Sequence, residues 1–264
     1  MIVVAVDESG DTNVALERKG RRTRYFVTLA VVLDEKCYSI VTKELTERLR
    51  EAVAEEEPAC SNLIPEMLKN EEELKYYSIT KRVAECVARE RSELKVVNEK
   101  IDNMLAKFIN KVRPCGTFLA VAAHVDKATI ARKLKSFDYE IASSLASVIR
   151  KSLKPLVLKE FGAQVCRALD GLGENAIVIL DEKFVPSGSA PKGEYLKKHF
   201  PCERVIEAFE VKSHQSSALA LADIMAAAYR NCLLHGNEAL CEALSFVEGR
   251  DLTEHFLRRA LGLG

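Results

Sequence analysis

The chain has 264 residues, with 39 Lys and Arg against 39 Asp and Glu, and 48% of its residues are apolar. This composition excludes a disordered or fibrous chain, and the length is enough to bury a core without covalent staples. Zero net charge argues against a protein that coats nucleic acid along its whole surface.

The amino terminus and the cysteines bear on the compartment. The apolar run before Asp7 is short and has no basic residue before it, so we expect neither a signal peptide nor a membrane span and predict a cytoplasmic protein. The eight cysteines contain no C-x-x-C pair, which favours buried thiols over a zinc or redox site. Few Gln, no Trp and 30% charged residues favour a thermophilic source, where intracellular disulfides occur, so disulfides stay open as an alternative.

The chain opens with a predicted hairpin. Apolar residues 2–6 predict a strand buried on both faces, and residues 25–33, rich in Val and aromatics, predict its partner. The connection is strongly basic, and its cationic residues are Arg18, Lys19, Arg21, Arg22 and Arg24.

Helices and one strand follow. Residues 38–57 and 71–112 have apolar positions at helical spacing. Residues 117–125 have strand composition, and residues 137–170 predict a long helix that Pro155 kinks or divides.

The remaining elements complete a mixed α/β pattern. Residues 176–180 predict an apolar strand, residues 204–211 a further strand, and residues 216–231 and 238–261 helices. Strands interleaved with helices predict a single α/β domain over the chain. We expect residues 38–113 to form a helical insertion or cap after the second strand.

Three acids stand out because apolar sequence surrounds or precedes them. Asp7 and Asp181 each end an apolar strand, and Asp223 lies within an otherwise apolar helix. A buried carboxylate is costly unless it is paired or binds a cation. Singly, each acid could begin a turn or form an ion pair. Together they are typical of a site that holds two hard cations for phosphoryl displacement.

Two motifs in this chain resemble a known family. The run from Val6 to Asp11, Val-Asp-Glu-Ser-Gly-Asp, and residues 213–223, Ser-His-Gln-Ser-Ser-Ala-Leu-Ala-Leu-Ala-Asp, resemble the opening and the carboxyl-terminal signature of the domain of unknown function 3800 family. His214 and Ala220 depart from that signature, where the family usually has Lys and Gln. The middle of the chain is similar more loosely, through residues 73–75 and 181–182.

The resemblance implies a ribonuclease H-like fold and a metal-dependent nuclease. That fold has a mixed five-stranded sheet with helices, and its carboxylates come from the first strand, a helix, the fourth strand and a late helix. Carried over to this chain, the implied ligands for two Mg²⁺ or Mn²⁺ ions are Asp7, Asp181, Asp223 and Glu73, although Glu71 and Glu72 adjoin Glu73.

The same resemblance implies roles for nearby basic residues. Lys75 would neutralise charge on the phosphate, and His214 would position water or assist product release unless it is a structural donor. The basic hairpin either binds the backbone of DNA or RNA or is a solvated tip. No stacking platform for bases is visible, and the apolar residues of the helices at 38–112 offer a surface that a homodimer could use.

Two other functions remain as alternatives. A non-catalytic module for binding nucleic acid or protein would keep the fold and lose turnover, which the departures at His214 and Ala220 permit. A phosphotransferase is less favoured, because the chain lacks a G-x-x-x-x-G-K stretch and is short for two such domains.

Overall fold

The computed structural model describes residues 1–14, 23–70, 72–88, 94–181, 192–212 and 215–260. These residues form one mixed sheet of six strands. In chain order the strands are β1 (Ile2–Ser9), β2 (Tyr25–Asp34), β3 (Phe118–Asp126), β4 (Ala176–Asp181), β5 (Val205–Val211) and β6 (Val247–Asp251). Across the sheet the order is β5-β4-β1-β2-β3-β6, and β2 alone runs antiparallel to its neighbours.

Helices cover both faces of the sheet. In chain order they are α1 (Glu35–Glu56), α2 (Leu63–Lys69), α3 (Tyr76–Ala88), α4 (Leu94–Val112), α5 (Lys127–Leu134), α6 (Tyr139–Leu172), α7 (Lys192–His199), α8 (Ser217–His235), α9 (Glu238–Ala243) and α10 (Thr253–Ala260). One apolar core joins α1, α3, α4 and α8 to the first face, and a second joins α5, α6 and α10 to the other. The predicted α/β class with a mixed sheet between helices is confirmed.

Strand alternation explains why the central strands are apolar throughout. Val4 and Val6 of β1 belong to the core under α6, whereas Ala5 belongs to the core under α8. A strand with helices on both sides must bury both sets of side chains, so its sequence reads as a continuous apolar run. The alternation also decides which of the residues that follow Val6 face which helix.

Four helices, α1 to α4, lie between β2 and β3, where the sequence predicted a helical insertion. Their beginning is tied to β3 through Asp34. This carboxylate accepts the N–H of Cys37 at 2.7 Å, which caps α1, and the N–H of Thr117 at 2.7 Å. The prediction that the whole chain is a single domain stays a prediction.

The structure corrects three sequence-based expectations. The predicted helix over residues 71–112 is two helices, α3 and α4, and α3 begins only at Tyr76. Pro155 does not divide α6, because Leu153 and Val157 on either side of it are buried against the sheet and hold the helix in place. The sheet also has six strands and not five.

The sixth strand lies where helix was predicted. Strand β6 has no alternating apolar pattern, and most of it is exposed. It forms because its backbone pairs in parallel with the edge of β3. A strand that forms through backbone pairing of this kind cannot be recognised from the pattern of its own side chains.

All eight cysteines are paired, so the expectation of buried thiols is wrong. The bridges join Cys37 to Cys115, Cys60 to Cys86, Cys166 to Cys202 and Cys232 to Cys241, with Cα atoms 4.8 to 6.1 Å apart. The partners are up to 78 residues apart in sequence, and pairing over such distances cannot be deduced from spacing. Among the described helices, none combines the length and apolar character needed to cross a membrane.

Candidate carboxylate site

Two carboxylates lie at the carboxyl ends of adjacent parallel strands. Val6 of β1 pairs with Leu180 of β4, so Asp7 and Asp181 occupy the next position on each strand. Asp7 lies on the same face of β1 as Ala5, the face on which α8 packs and from which Asp223 projects. The three acids that the sequence singled out therefore converge at one edge of the sheet, where α/β proteins commonly place their sites.

Asp7 is the most buried of the three acids, with 6% of its surface exposed. Burial raises its pKa well above the usual value for a carboxyl group, and the negative charges of Asp223 and Asp181 raise it further. The N–H of Glu8 donates to Asp7 Oδ1 at 2.7 Å, which partly offsets these effects. Within the described residues no cationic side chain pairs with Asp7.

Asp223 is held by the backbone at the beginning of α3. The N–H of Tyr76 donates to Asp223 Oδ2 at 2.6 Å. Burial raises the pKa of Asp223, while this hydrogen bond and the charge of Lys75 act in the opposite direction. The acid nevertheless retains a raised pKa, as expected for a carboxylate close to other acids.

Lys75 is the cation of the site. Its Nζ lies 3.4 Å from Glu73 Oε2 and 3.8 Å from Asp181 Oδ2. Burial acts to lower the pKa of Lys75, but the charges of Asp181 and Glu73 prevail and raise it. The ammonium group therefore neutralises protein carboxylates, whereas its contact with a phosphate, which the resemblance implies, stays a prediction.

The other acids near the site have their own partners. Glu8 projects to the opposite face of β1 and pairs with Lys154 of α6 at 2.9 Å, in agreement with strand alternation. Glu72 pairs with Arg82, so Glu73 is the member of the described acidic run that reaches Lys75. Glu71 lies outside the described residues.

Asp11 fastens the base of the first hairpin. Its carboxylate accepts the N–H groups of Asn13 and Thr23 at 2.8 and 3.0 Å and lies 3.1 Å from Lys127 Nζ. Burial alone would raise the pKa of Asp11, but these donors lower it to about 2. Gly10 in this turn has φ +100°, and a Cβ there would lie 2.3 Å from the carbonyl oxygen of Tyr25, so only glycine fits.

Most of the basic residues predicted to bind nucleic acid fall outside the described residues; they are Arg18, Lys19, Arg21 and Arg22. Arg24 is described, and its Nη2 pairs with Asp126 at 2.9 Å, so this guanidinium fastens β2 to the beginning of α5. His214 also lies outside the described residues.

The donor set has the chemistry of a hard-cation site, but the described residues do not form a preassembled one. Carboxylate oxygens are the ligands that Mg²⁺ and Mn²⁺ prefer, and Asp7 is a buried carboxylate without a cationic partner in the described residues. Those same residues contain no group of three or more His, Cys, Asp or Glu side chains that could hold an ion as they stand. An ion at Asp7 would therefore require its neighbours to reorient, beginning with Asp181 and its contact to Lys75.

A polar network behind the site was not predicted from the sequence. Asn231 Nδ2 donates to Tyr76 Oη and to Asp102 Oδ1, both at 2.9 Å, and His235 Nδ1 lies 2.9 Å from Asp102 Oδ2. Asp102 and Asn231 are 2% and 5% exposed. Their positions within amphipathic helices give no signal, because only the fold brings α3, α4 and α8 together.

A cavity of about 260 Å³ shares Glu73 and Lys75 with the site, but Asp7, Asp181 and Asp223 do not line it. Glu73 and Lys75 form one side of it, Leu45 and Leu68 another, and Ser216 at the beginning of α8 a third. The cavity therefore meets the site only through Glu73 and Lys75.

No family model matches the chain, and no curated protein matches it significantly. The resemblance of its two motifs to the domain of unknown function 3800 family therefore stays a prediction.

Proposed function

We propose that this protein is a metal-dependent nuclease of the ribonuclease H-like type. The observation that carries the proposal is the buried Asp7 carboxylate, which lies between the charges of Asp181 and Asp223 and has no cationic partner in the described residues. A buried ionised carboxylate without a partner is unfavourable, and a divalent cation would remove that penalty. Asp7, Asp181 and Asp223 come from the first strand, the fourth strand and a late helix, which agrees with the arrangement that the resemblance implies.

The residues would divide the work as follows. Asp7, Asp181 and Asp223 would hold Mg²⁺ or Mn²⁺, with Glu73 as a further ligand. When bound, two such ions lower the pKa of water and stabilise the charge on the leaving oxygen in phosphodiester hydrolysis. Tyr76 would keep Asp223 oriented, because its N–H donates to Asp223 Oδ2. This hydrogen bond leaves Asp223 Oδ1 for an ion.

Lys75 has two tasks in this proposal. In the absence of an ion it neutralises Asp181 and Glu73. With an ion held by those acids, the ammonium of Lys75 would be available to a phosphate of DNA or RNA in the adjacent cavity. The residues of the basic hairpin, Arg18 to Arg22, would add sequence-independent contacts to the backbone that weaken with salt.

The test is cleavage of labelled single-stranded and duplex DNA and RNA with Mg²⁺ or Mn²⁺ and with EDTA. We expect metal-dependent cleavage that Asp7→Asn and Asp223→Asn reduce by at least about 100-fold, as is usual when a charge-stabilising group is lost. The control is Asp170→Asn, which removes an exposed acid of α6 remote from the site. Cleavage that survives in Asp7→Asn would contradict the proposal.

One observation favours a second function, a catalytically inactive module that binds nucleic acid or protein. Lys75 already supplies a positive charge to Asp181 and Glu73, and the described residues hold no preassembled group of three ligands. Such a module would bind nucleic acid equally well with EDTA and would not cleave it. The binding and cleavage assays therefore distinguish the two functions.

A further inference from the structure

The amino-terminal half of α6 has an exposed apolar face. Ile141 and Val148 are 50% and 56% exposed, and Leu145 between them is half-buried. Residues spaced by four and then three positions lie on one side of a helix. The core side of this same helix segment is formed by Ala142 and Ile149, which are buried. The exposed stripe is therefore a second apolar face.

We propose that this face pairs with the same face of a second copy of the chain, with the two helices antiparallel. Two small residues, Ser144 and Ser152, lie beside the stripe. They allow two helices to approach closely. A twofold axis near Leu145 would bring Ile141 of each copy beside Val148 of the other, as an isologous interface requires.

Charge complementarity supports this occupant. Glu140 and Lys151 flank the stripe, both are exposed, and neither forms an ion pair in the part of the chain that the structure describes. They are 11 residues apart, which is three turns plus about 20° at 100° per residue, so they lie on the same side of α6. In an antiparallel pair related by a twofold axis, the side of one helix that carries Glu140 and Lys151 lies next to the same side of the other helix. With Ile141 beside Val148 of the second copy, Glu140 lies about 3 Å along the axis from Lys151 of that copy.

The helices between β2 and β3, where the sequence placed the apolar surface for a homodimer, are a poorer choice. Their apolar stripe faces inward, with Leu45, Leu49, Phe108 and Ile109 at most 3% exposed. The proposal for α6 does not depend on the proposed nuclease activity.

The area of the apolar face determines how strongly two copies of the chain can associate. A stable interface buries about 800 Å² on each partner, and a contact of about three helical turns buries less. We expect a reversible dimer with a dissociation constant on the order of 10 to 100 µM. The test is sedimentation equilibrium of the full chain across that concentration range.

Variants identify the surface. Val148→Glu should make the protein monomeric, while Ile206→Glu, which changes a similarly exposed apolar residue of β5 (45% exposed), should leave the dimer intact. Glu140→Lys and Lys151→Glu should each weaken the dimer about 3- to 10-fold, and the double variant should restore it. Circular dichroism checks that each variant is folded.

Three results would overturn the proposal. The first is a monomer at every concentration. The second is a dimer that Val148→Glu leaves unchanged, because another surface would then form the contact. The third is a double charge variant whose dimer is no stronger than those of the single variants, which would reject the antiparallel register.

Discussion

The backbone N–H of Tyr76 donates a hydrogen bond to Asp223 Oδ2 at 2.6 Å, across 147 residues of sequence. This contact fixes the beginning of α3 against α8 and holds Lys75 beside Asp181. Because the donor is a backbone group, a change of the Tyr76 side chain leaves it in place. The network behind Tyr76 can therefore be altered separately from the carboxylates.

The network should contribute to stability. Asn231→Ala removes the donor to Asp102 Oδ1 and leaves a buried carboxylate with one partner fewer. We expect it to lower the free energy of unfolding by about 2 to 4 kcal/mol. Tyr76→Phe removes the contacts of the Tyr76 hydroxyl with Asn231 and Arg230 but leaves Asp102 its donors, so it should cost only about 1 kcal/mol. Urea unfolding measures both, and equal losses would contradict this account of Asp102.

Asp7→Asn should stabilise the protein when no divalent cation is present. The amide has nearly the same shape as the carboxylate, keeps an oxygen for the N–H of Glu8 and removes the repulsion from Asp181 and Asp223. We expect a gain of about 1 to 3 kcal/mol at pH 8 in EDTA. A matched measurement on Asp170→Asn should show a gain below about 1 kcal/mol, because this exposed acid lies in the last turn of α6. A less stable Asp7→Asn would mean that the charge of Asp7 has a partner.

The raised pKa values predict how stability depends on pH. Asp7, Asp223 and Glu8 hold protons more tightly in the folded state than in the unfolded state. Their contribution to stability is therefore full below the ordinary carboxyl pKa and falls as pH rises through the folded values. Unfolding in urea from pH 5 to 8 should show this decline in EDTA, and Asp7→Asn should make it shallower.

The lowered pKa of Asp11 predicts that its contribution to stability increases as pH rises. Its contribution is present above the unfolded pKa and is lost as pH falls towards about 2, its folded value. Asp11→Asn should therefore destabilise the protein at neutral pH and lessen its sensitivity to acid. Acid titration followed by circular dichroism compares the two proteins. An unchanged midpoint of acid unfolding would contradict a stabilising role for the contacts of Asp11 with Thr23 and Lys127.

The disulfides should differ in how much they stabilise the fold. The Cys37–Cys115 bridge joins residues 78 positions apart, whereas Cys232–Cys241 joins residues nine apart. From loop-closure entropy, replacing the first pair by Ala should cost about 2 kcal/mol more than replacing the second. Thermal unfolding of the two double variants checks this difference. Equal losses would show that loop closure does not dominate.

The sequence predicted five of the six strands and the three acids of the site for clear physical reasons. Asp7 and Asp181 end apolar strands, and Asp223 interrupts an apolar helix, so all three were visible as costly charges. The position of Tyr76 was not predictable, since every residue but proline carries a backbone N–H. Strand β6 and the cysteine pairs depend on which segments meet in three dimensions, which no local pattern encodes.

The most direct test of the central claim is a thermal unfolding series with Mn²⁺ or Mg²⁺ added to the protein and to Asp7→Asn. If Asp7 and its neighbours hold a cation, millimolar metal should raise the melting temperature of the unchanged protein by several degrees, because binding to the folded state alone stabilises it. Asp170→Asn should respond like the unchanged protein, and Asp7→Asn should not respond. No shift in the unchanged protein would contradict the metal site and favour the inactive binding module.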